Sequence, residues 1–268
     1  MMHAQSVIHP NAKIGKNVRI DAFTTIAEDV VIGDDTWIGS NVTIMNGARI
    51  GKHCQIFHGA IIAAPPADLK FEGENTTAEI GDHTVIREFV SIHRGTHEKM
   101  KTTIGSHCLI MAYCHVAHDC VLEDHCIMSN STQLAGHVTV GHHAIISGMC
   151  GVNQFVRIGD HAYIGGFTTV RKDVPPYVRA GNIPATFSGI NSVGMRRRGF
   201  SSENINQILD VYRILYNSNL NVTQALQKID EVIPDTALRN QIVSFIKESK
   251  RGIIRNASKT KSDEDTGE

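Results

Sequence analysis

The chain has 268 residues, of which 41% are hydrophobic and 20% charged, and its formal net charge is −1. This composition is typical of a folded globular protein and excludes an intrinsically disordered chain. The near-zero charge gives no overall attraction for nucleic acid, and no window approaches the roughly 18 apolar residues that a membrane span needs. The N-terminus has no basic stretch followed by an apolar run, so we expect a cytoplasmic protein.

An apolar residue recurs at every sixth position from Ile8 to Val170, and within this frame only Asp68, Glu74 and Glu98 break the pattern. Four residues after most of these anchors stands a small or β-branched residue. A six-residue period fits neither an α-helix, with a period of about 3.6, nor a half-buried strand, with a period of about 2. It predicts a hexapeptide solenoid, in which three hexads complete a coil of roughly 18 residues and successive coils stack about 4.8 Å apart.

All six cysteines fall on the small interior position of the hexad: Cys54, Cys108, Cys114, Cys120, Cys126 and Cys150. No two of them form the CxxC spacing of a metal or redox site. We therefore predict reduced cysteines buried in the core, as expected in a reducing compartment.

The hexad frame is interrupted by two polar segments, at 63–79 and 96–102. Long polar loops on a rigid scaffold are common places for function, so we expect both to contribute to a site. Four regions are predicted: a parallel β-helix over 1–178, an irregular linker over 179–200, a small α-helical domain over 201–255 and a disordered tail over 256–268. Thr223 and Asp235 are the predicted N-caps of two helices in the third region.

One column of the solenoid collects polar residues. His118, Gly136 and Gln154 are each one coil apart, while His137 and Asn153 are their neighbours in sequence. These residues should lie within about 10 Å of one another. The spacing thus predicts a polar cluster at one corner of the coil.

This cluster contains what an acyl transfer needs. A histidine such as His118 is a suitable general base because an imidazole accepts a proton near neutral pH, and Asp119 could set its tautomer. The backbone N–H of Gly136 could bind the oxyanion of a tetrahedral intermediate. An alternative remains open at this point, since these histidines could equally be solvated turn residues, like His142 and His143.

Several longer motifs resemble the UDP-N-acetylglucosamine O-acyltransferases of lipid A biosynthesis, within the hexapeptide-repeat acyltransferases. The motifs are ADLKFEGE (67–74), SIHRGT (91–96), HVAHDC (115–120), LAGHVTV (134–140), GVNQF (151–155), DVPPYV (173–178) and MRRRGF (195–200). The resemblance covers about residues 1–255. It implies that the β-helix is left-handed, a property that the period alone does not give.

The resemblance also implies a reaction. A 3-hydroxyacyl chain would pass from acyl carrier protein to the 3-position of UDP-N-acetylglucosamine, with no metal and no cofactor, at a site between the subunits of a homotrimer. Within it, His118 would be the general base, Asp119 its supporting carboxylate and Gly136 the oxyanion donor. Gly166 would set the acyl length. The expected substrate-binding residues are Asp68, Lys70, His115, His137, Asn153, Gln154, Asn191 and Arg197.

Three positions depart from the family pattern. Asn153 stands where histidine is found in better-known members, Ala67 where many have glutamine and Val193 where an acidic residue is usual. These changes leave the acceptor atom open. Some relatives use a UDP-sugar with an amine in place of the 3-hydroxyl.

Three other functions are considered. A zinc carbonic anhydrase on the same solenoid would use His137 and His142, but its third ligand should stand at 101, which is lysine. The later N-acyltransferase of lipid A assembly carries an additional N-terminal domain, whereas hexads here begin at Ile8. A non-catalytic scaffold does not explain why polar residues converge at one corner beside two loops.

Overall fold

The computed structural model describes residues 2–257, so most of the predicted tail, residues 258–268, lies outside it. The strands, in chain order, are β1 (Val7–Ile8), β2 (Lys13–Ile14), β3 (Arg19–Ile20), β4 (Thr25–Ile26), β5 (Val30–Ile32), β6 (Trp37–Ile38), β7 (Thr43–Ile44), β8 (Ala48–Ile50), β9 (Gln55–Ile56), β10 (Ile61–Ala64), β11 (Thr77–Ile80), β12 (Val85–Ile86), β13 (Ser91–His93), β14 (Lys101–Ile104), β15 (Leu109–Ile110), β16 (His115–Val116), β17 (Val121–Leu122), β18 (Ile127–Met128), β19 (Gln133–Leu134), β20 (Thr139–Val140), β21 (Ile145–Ile146), β22 (Gly151–Val152), β23 (Arg157–Ile158), β24 (Tyr163–Ile164), β25 (Thr169–Val170), β26 (Val178–Gly181), β27 (Thr186–Ile190) and β28 (Arg255–Asn256). The helices are α1 (Ser192–Arg197), α2 (Ser202–Asn217), α3 (Val222–Val232) and α4 (Ala237–Lys247).

The strands form three parallel sheets that are the three sides of a triangular coil. Sheet I runs β1-β4-β7-β10-β13-β16-β19-β22-β25 and sheet II runs β2-β5-β8-β11-β14-β17-β20-β23. Sheet III begins at β3, takes every third strand to β24 and continues through β26, β27 and β28. Val116 pairs with Leu134, one coil later, as the 18-residue register predicts. The predicted parallel β-helix is confirmed.

The interior is packed by the residues that the hexad assigned to it. Ile56, Ile86, Ile110 and other anchors are buried. The cysteines are free and buried as predicted, and each S–H points to a backbone carbonyl of the neighbouring coil; Cys126 Sγ, for example, lies 3.1 Å from the carbonyl oxygen of Gly141. Buried threonines donate in the same way, as from Thr24 to Gly39 at 2.7 Å. A small polar side chain at this position therefore forms its hydrogen bond with a backbone carbonyl of the next coil.

Left-handed backbone conformations recur at the corners, immediately before the small interior residue. At the corner between sheets II and III this position is usually histidine, with φ near 57° at His107 and 61° at His125. The rings stack one coil above another, with centroids 5.0 Å apart for this pair. The stack comprises His53, His83, His107, His125, His143, His161 and Tyr177. Six of the 15 histidines in the chain therefore have a packing role at turns.

The C-terminal region differs in part from the prediction. The segment 179–200 is not an irregular linker: β26 and β27 form an antiparallel hairpin and α1 follows it. The N-caps of α3 and α4 are Asn221 and Thr236, not Thr223 and Asp235. Asn221 is preferred because Gln224, three residues later, completes a capping box with it. No helix within residues 2–257 is long and apolar enough to cross a membrane.

Candidate active site

The two polar excursions lie beside the corner between sheets I and II. The first occupies residues 65–76, between β10 and β11, and the second residues 94–100, between β13 and β14. Thr96 and Thr102, at the edges of the second excursion, are both buried. This is the corner at which the sequence places His118, Gly136 and His137.

His118 and Asp119 form a buried pair at this corner. Nδ1 of His118 lies 2.9 Å from Oδ2 of Asp119, and the two residues are 5% and 0% exposed. Asp119 has the left-handed conformation, with φ 60°, which turns the chain so that two consecutive side chains meet on one side. Since a carboxylate only accepts hydrogen bonds, Nδ1 of His118 carries a proton, and in the neutral ring the lone pair is on Nε2.

Asp119 is held by the second excursion. Thr96 donates to it twice, from its backbone N–H to Oδ1 at 3.0 Å and from its hydroxyl to Oδ2 at 2.6 Å. Lys99 Nζ donates to the carbonyl oxygen of Asp119, and the Asp119 N–H donates to the Thr102 hydroxyl. Burial alone would raise the pKa of Asp119, but the hydrogen bonds from Thr96 and His118 outweigh it and the pKa is lowered. The carboxylate is therefore ionised near neutral pH.

The His118 ring packs directly against Gly136, which has no side chain to displace it. A Cβ atom at Gly136 would lie 2.5 Å from Cε1 and 2.7 Å from Nε2 of His118, closer than packed atoms approach. Among residues 2–257, no hydrogen bond uses the Gly136 N–H as donor. This N–H therefore remains available to a ligand next to Nε2.

His137 lies on the other side of Asp119. Its ring meets that of His118 edge to face, with centroids 5.2 Å apart, and its Nε2 lies 3.6 Å from Oδ2 of Asp119 and 3.5 Å from Oε2 of Glu98. Burial lowers the pKa of His137 despite these two carboxylates. His137 is thus predominantly neutral at pH 7.

The first excursion reaches the same corner from outside. Asp68 Oδ2 lies 3.9 Å from Nε2 of His118. The backbone N–H of Lys70 donates to Asp68 and, with the nearby His118, holds the pKa of Asp68 below its ordinary value. A negative charge therefore stands opposite the Nε2 lone pair.

A shallow groove of about 370 Å³ runs along sheet I beside this corner. Among its lining residues are His115, Asn153 and Gln154, three of the predicted substrate-binding residues. His115 Nδ1 is hydrogen-bonded to the Ser91 hydroxyl at 2.8 Å, and burial, with help from His118, lowers the pKa of His115. The groove reaches Ala135, the residue before Gly136.

The sequence reasoning did not single out Ser91, His93, Thr96, Glu98 or Lys99. Burial lowers the pKa of His93 to about 4, and Nδ1 of His93 accepts the backbone N–H of Ala67 in the first excursion. A signal was available, because the motif SIHRGT and the second excursion contain all five. Which of them would contact Asp119 could not be read without the path of the loop.

Three predicted residues lie away from His118 within one chain. Gly166 is at the corner between sheets III and I, stacked on Gly148. Asn191 caps α1 and donates to the carbonyl oxygen of His161, at the corner between sheets II and III. Arg197 ends that same helix. A single chain therefore presents the predicted site residues at three different corners.

The spacing of three side chains at the buried pair could suit a metal ion. His118, Asp119 and His137 each offer a ligand atom, all within 4.8 Å of one another. However, both carboxylate oxygens of Asp119 already accept hydrogen bonds from Thr96. His142, the other ligand of the zinc alternative, is at the corner between sheets II and III, next to the histidine stack. The absence of a metal from the reaction stays a prediction.

Comparison with known proteins assigns the chain to a family. A family of bacterial transferase hexapeptides (six repeats) matches residues 29–64 and 101–136, and domain 2 of the UDP-N-acetylglucosamine O-acyltransferases matches residues 173–254. An acyl-[acyl-carrier-protein]--UDP-N-acetylglucosamine O-acyltransferase from Aquifex aeolicus is 50% identical over 95% of this chain and 98% of its own length. The enzyme of the same name from Chlorobaculum tepidum is 51% identical, over 91% and 93%.

A solved structure agrees over the same length. The crystal structure of a UDP-N-acetylglucosamine acyltransferase from Bacteroides fragilis superposes with a TM-score of 0.94 at 48% identity, covering 95% of this chain and all of that one. The hexapeptide repeats and this likeness confirm the predicted left-handed winding of the β-helix. The chain belongs to the acyl-[acyl-carrier-protein]--UDP-N-acetylglucosamine O-acyltransferases, the family that the sequence motifs predicted.

Proposed function

We propose that this protein transfers a 3-hydroxyacyl chain from acyl carrier protein to the 3-position of UDP-N-acetylglucosamine, the first step of lipid A biosynthesis. The observation that carries the proposal is the buried His118–Asp119 pair, whose imidazole ring packs against Gly136. Family membership supports the substrates, and the pair supports the chemistry.

In the proposed reaction, Nε2 of His118 removes the proton from the acceptor hydroxyl as its oxygen attacks the thioester carbonyl. The backbone N–H of Gly136 donates to the resulting oxyanion. When the intermediate collapses, the carbon–sulfur bond breaks and the imidazolium returns its proton to the departing thiolate. Asp119 stabilises the imidazolium formed between these steps and keeps Nδ1 protonated throughout.

The remaining predicted residues are assigned to the substrates. Asp68 and Lys70 of the first excursion, with His115 and His137, would hold the sugar nucleotide. The groove at Asn153 and Gln154 would receive the acyl donor. His115, Asn153 and Gln154 line the groove, and Asp68 lies 3.9 Å from Nε2 of His118, so the two substrates would meet at Nε2.

We infer that the working form is a homotrimer. Gly166, Asn191 and Arg197 stand at corners away from His118, so one chain supplies only part of the predicted site. A neighbouring copy whose corners pack against the first excursion would complete the site. Arg197 would then face the diphosphate, and the basic cluster at 196–198 would suit an acidic carrier protein. Cytoplasmic location stays a prediction.

The acceptor atom is decided by experiment. Purified protein is incubated with 3-hydroxyacyl carrier protein and, in separate reactions, UDP-N-acetylglucosamine or its 3-amino analogue, and the products are weighed by mass spectrometry. The proposal expects an ester with the first sugar. Transfer to the amine alone would assign the protein to an amide-forming function, with the departure at Asn153 as the first residue to test. Transfer to neither would contradict the proposal.

The proposed trimer has its own test. Chains carrying His118→Ala are mixed and reassembled with chains carrying Arg197→Ala, each of which alone should be weak. A site shared between subunits predicts that mixing restores activity, because some sites then combine an intact His118 with an intact Arg197. Activity that never exceeds the average of the two variants, or a fully active monomer in sedimentation, would contradict it.

A further inference from the structure

Within residues 2–257, the second excursion has hydrogen bonds to Asp119 and an ion pair with His137. We propose that Thr96 is a positioning residue of the acyl transfer: it holds the Asp119 carboxylate in the one orientation that keeps the proton of His118 on Nδ1. The inference rests on the proposed function. It gives the loop at 94–100 a role in the chemistry rather than in packing alone.

Thr96 fixes the orientation of the Asp119 carboxylate by two hydrogen bonds. Thr96 occupies both oxygens of Asp119, with its amide on Oδ1 at 3.0 Å and its hydroxyl on Oδ2 at 2.6 Å. Two hydrogen bonds from one residue fix the plane of the carboxylate. Oδ2 lies 2.9 Å from Nδ1 of His118, so the orientation of the carboxylate that Thr96 fixes also fixes the orientation of the imidazole.

The hydroxyl proton of Thr96 has a defined direction. Thr96 Oγ1 also accepts the backbone N–H of Glu98, at 3.3 Å. A hydroxyl has a single proton, and with its acceptor side in use that proton is directed to Asp119. Because an ionised carboxylate only accepts hydrogen bonds, the Thr96 hydroxyl is the donor to Asp119.

The second excursion is itself anchored by hydrogen bonds. The Met100 N–H donates to the carbonyl oxygen of Thr96 at 2.7 Å, and Thr76 donates to the carbonyl oxygen of Gly95 at 2.6 Å. Thr96 is 3% exposed. A donor held this firmly costs little reorganisation during the reaction, which is the condition for positioning.

The other contacts of the loop do not duplicate this one. Lys99 and Thr102 bind the backbone of Asp119, at its carbonyl and its N–H, and fix the turn. Thr96 alone binds the carboxylate from this loop. Its loss should therefore act on the proton of His118 while the turn itself persists.

The test uses kinetics with the full-length protein. Thr96→Val, which keeps the shape and removes the hydroxyl, should lower kcat roughly 10- to 100-fold, the range for losing a hydrogen bond to a charged group. KM for both substrates should stay within about twofold, because no substrate contact is lost. Thr96→Ser, which keeps the hydroxyl, should restore most of the rate. Should Thr96→Val fail to fold, Thr96→Ala removes the same hydroxyl and the same comparisons apply.

The pH profile adds a readout that packing would not move. Thr96 helps to lower the pKa of Asp119 against the effect of burial, so removing the hydroxyl raises that pKa. Asp119 then loses its charge at a higher pH, and the acid limb of kcat/KM should shift upward. Thr84→Val is the matched control: Thr84 is a buried threonine that donates to Gly105 at a different corner, and its loss should lower stability without moving the limb.

A double-mutant comparison decides whether Thr96 acts through Asp119. If it does, Thr96→Val added to Asp119→Asn should cost almost nothing further, since the carboxylate is already gone. The proposal would be overturned if the kcat of the double variant fell by the product of the two single fold-losses. It would also be overturned if Thr96→Val kept the kcat of the original protein.

A measurement without turnover separates this inference from the proposed function. The ¹⁵N chemical shifts of His118 report which ring nitrogen carries the proton. The original protein and Thr96→Ser should show the Nδ1–H form alone, and Thr96→Val a mixture of the two tautomers. If the original protein transferred no acyl chain, the proposed function would fail, yet these spectra would still support or overturn the role of Thr96.

Discussion

The Nδ1 atom of His118 lies 2.9 Å from Oδ2 of Asp119, the next residue in the chain. Consecutive side chains in an extended strand point to opposite faces, so such a pair needs a turn. The left-handed conformation of Asp119 supplies that turn, and the same conformation recurs one coil later at His137. The β-helix thus builds an acid–base pair from a conformation that its corners adopt anyway.

Gly136→Ala should inactivate the protein without unfolding it. The new Cβ would lie 2.5 to 2.7 Å from the His118 ring, which would have to rotate away from Asp119. We expect kcat to fall by roughly 10²-fold, as for a reacting group misplaced by about 1 Å. Steady-state kinetics and circular dichroism check this.

The matched control for this change is Gly181→Ala. Its Cβ would meet nothing closer than Ser188 Oγ at 3.8 Å, and Gly181 does not have a left-handed conformation. It should keep its activity. A Gly136→Ala protein as active as this control would show that the reaction does not depend on the packing of the His118 ring against Gly136.

Gly166→Met should shift the preference toward shorter acyl donors. Gly166 is exposed, and a Cβ there would only touch Gly148 at an ordinary 3.4 Å, so a longer side chain fits within one chain and projects outward. In the proposed trimer it would project into the acyl groove. Rates with a series of donor lengths measure the effect, and an unchanged profile would remove Gly166 from the site.

Acid should destabilise the fold through the histidine stack. Burial, together with His143, lowers the pKa of His161 from 6.5 to about 4, and its buried Nδ1 has no hydrogen-bond partner among the described residues. His161 is therefore neutral when folded and gains a proton when unfolded below pH 6.5. Its contribution to stability is complete above pH 6.5 and is lost as the pH falls toward 4.

His161→Phe tests this contribution. Phenylalanine keeps a ring between His143 and Tyr177 and removes the unpartnered nitrogen. Melting temperatures measured from pH 7.5 to 4.5 should fall less for the variant than for the original protein. An equal fall would show that His161 does not couple folding to protons.

Much of the fold could be predicted because each position of the hexad has a fixed place in the packing of the coil. Each anchor, such as Ile56 or Ile110, is buried because it occupies the same interior position of the hexad. A shift of the strands by one residue would have exposed all of the anchors at once. The C-terminal region has no such repetition. The hairpin of β26 and β27 was missed because its pairing depends on docking against β24, a long-range contact that composition does not reveal.

The candidate site could be predicted where the register alone decides proximity. His118, Gly136 and His137 come together because they are one coil apart. Thr96 could not be found in this way, since it belongs to a loop that leaves the coil, so the 18-residue register does not place its side chain. Its contact with Asp119 depends on the path of the loop, which its own local hydrogen bonds determine.

The most direct test of the proposed chemistry is the rate of acyl transfer by His118→Ala. Losing a general base typically costs about 10²- to 10⁴-fold, and we expect kcat to fall by that order with the melting temperature nearly unchanged. His142→Ala, an exposed turn histidine away from the pair, should remain close to the original rate. If His118→Ala retained more than about a tenth of the activity, a loss smaller than that range, His118 would not be the base and His137 would be tested next.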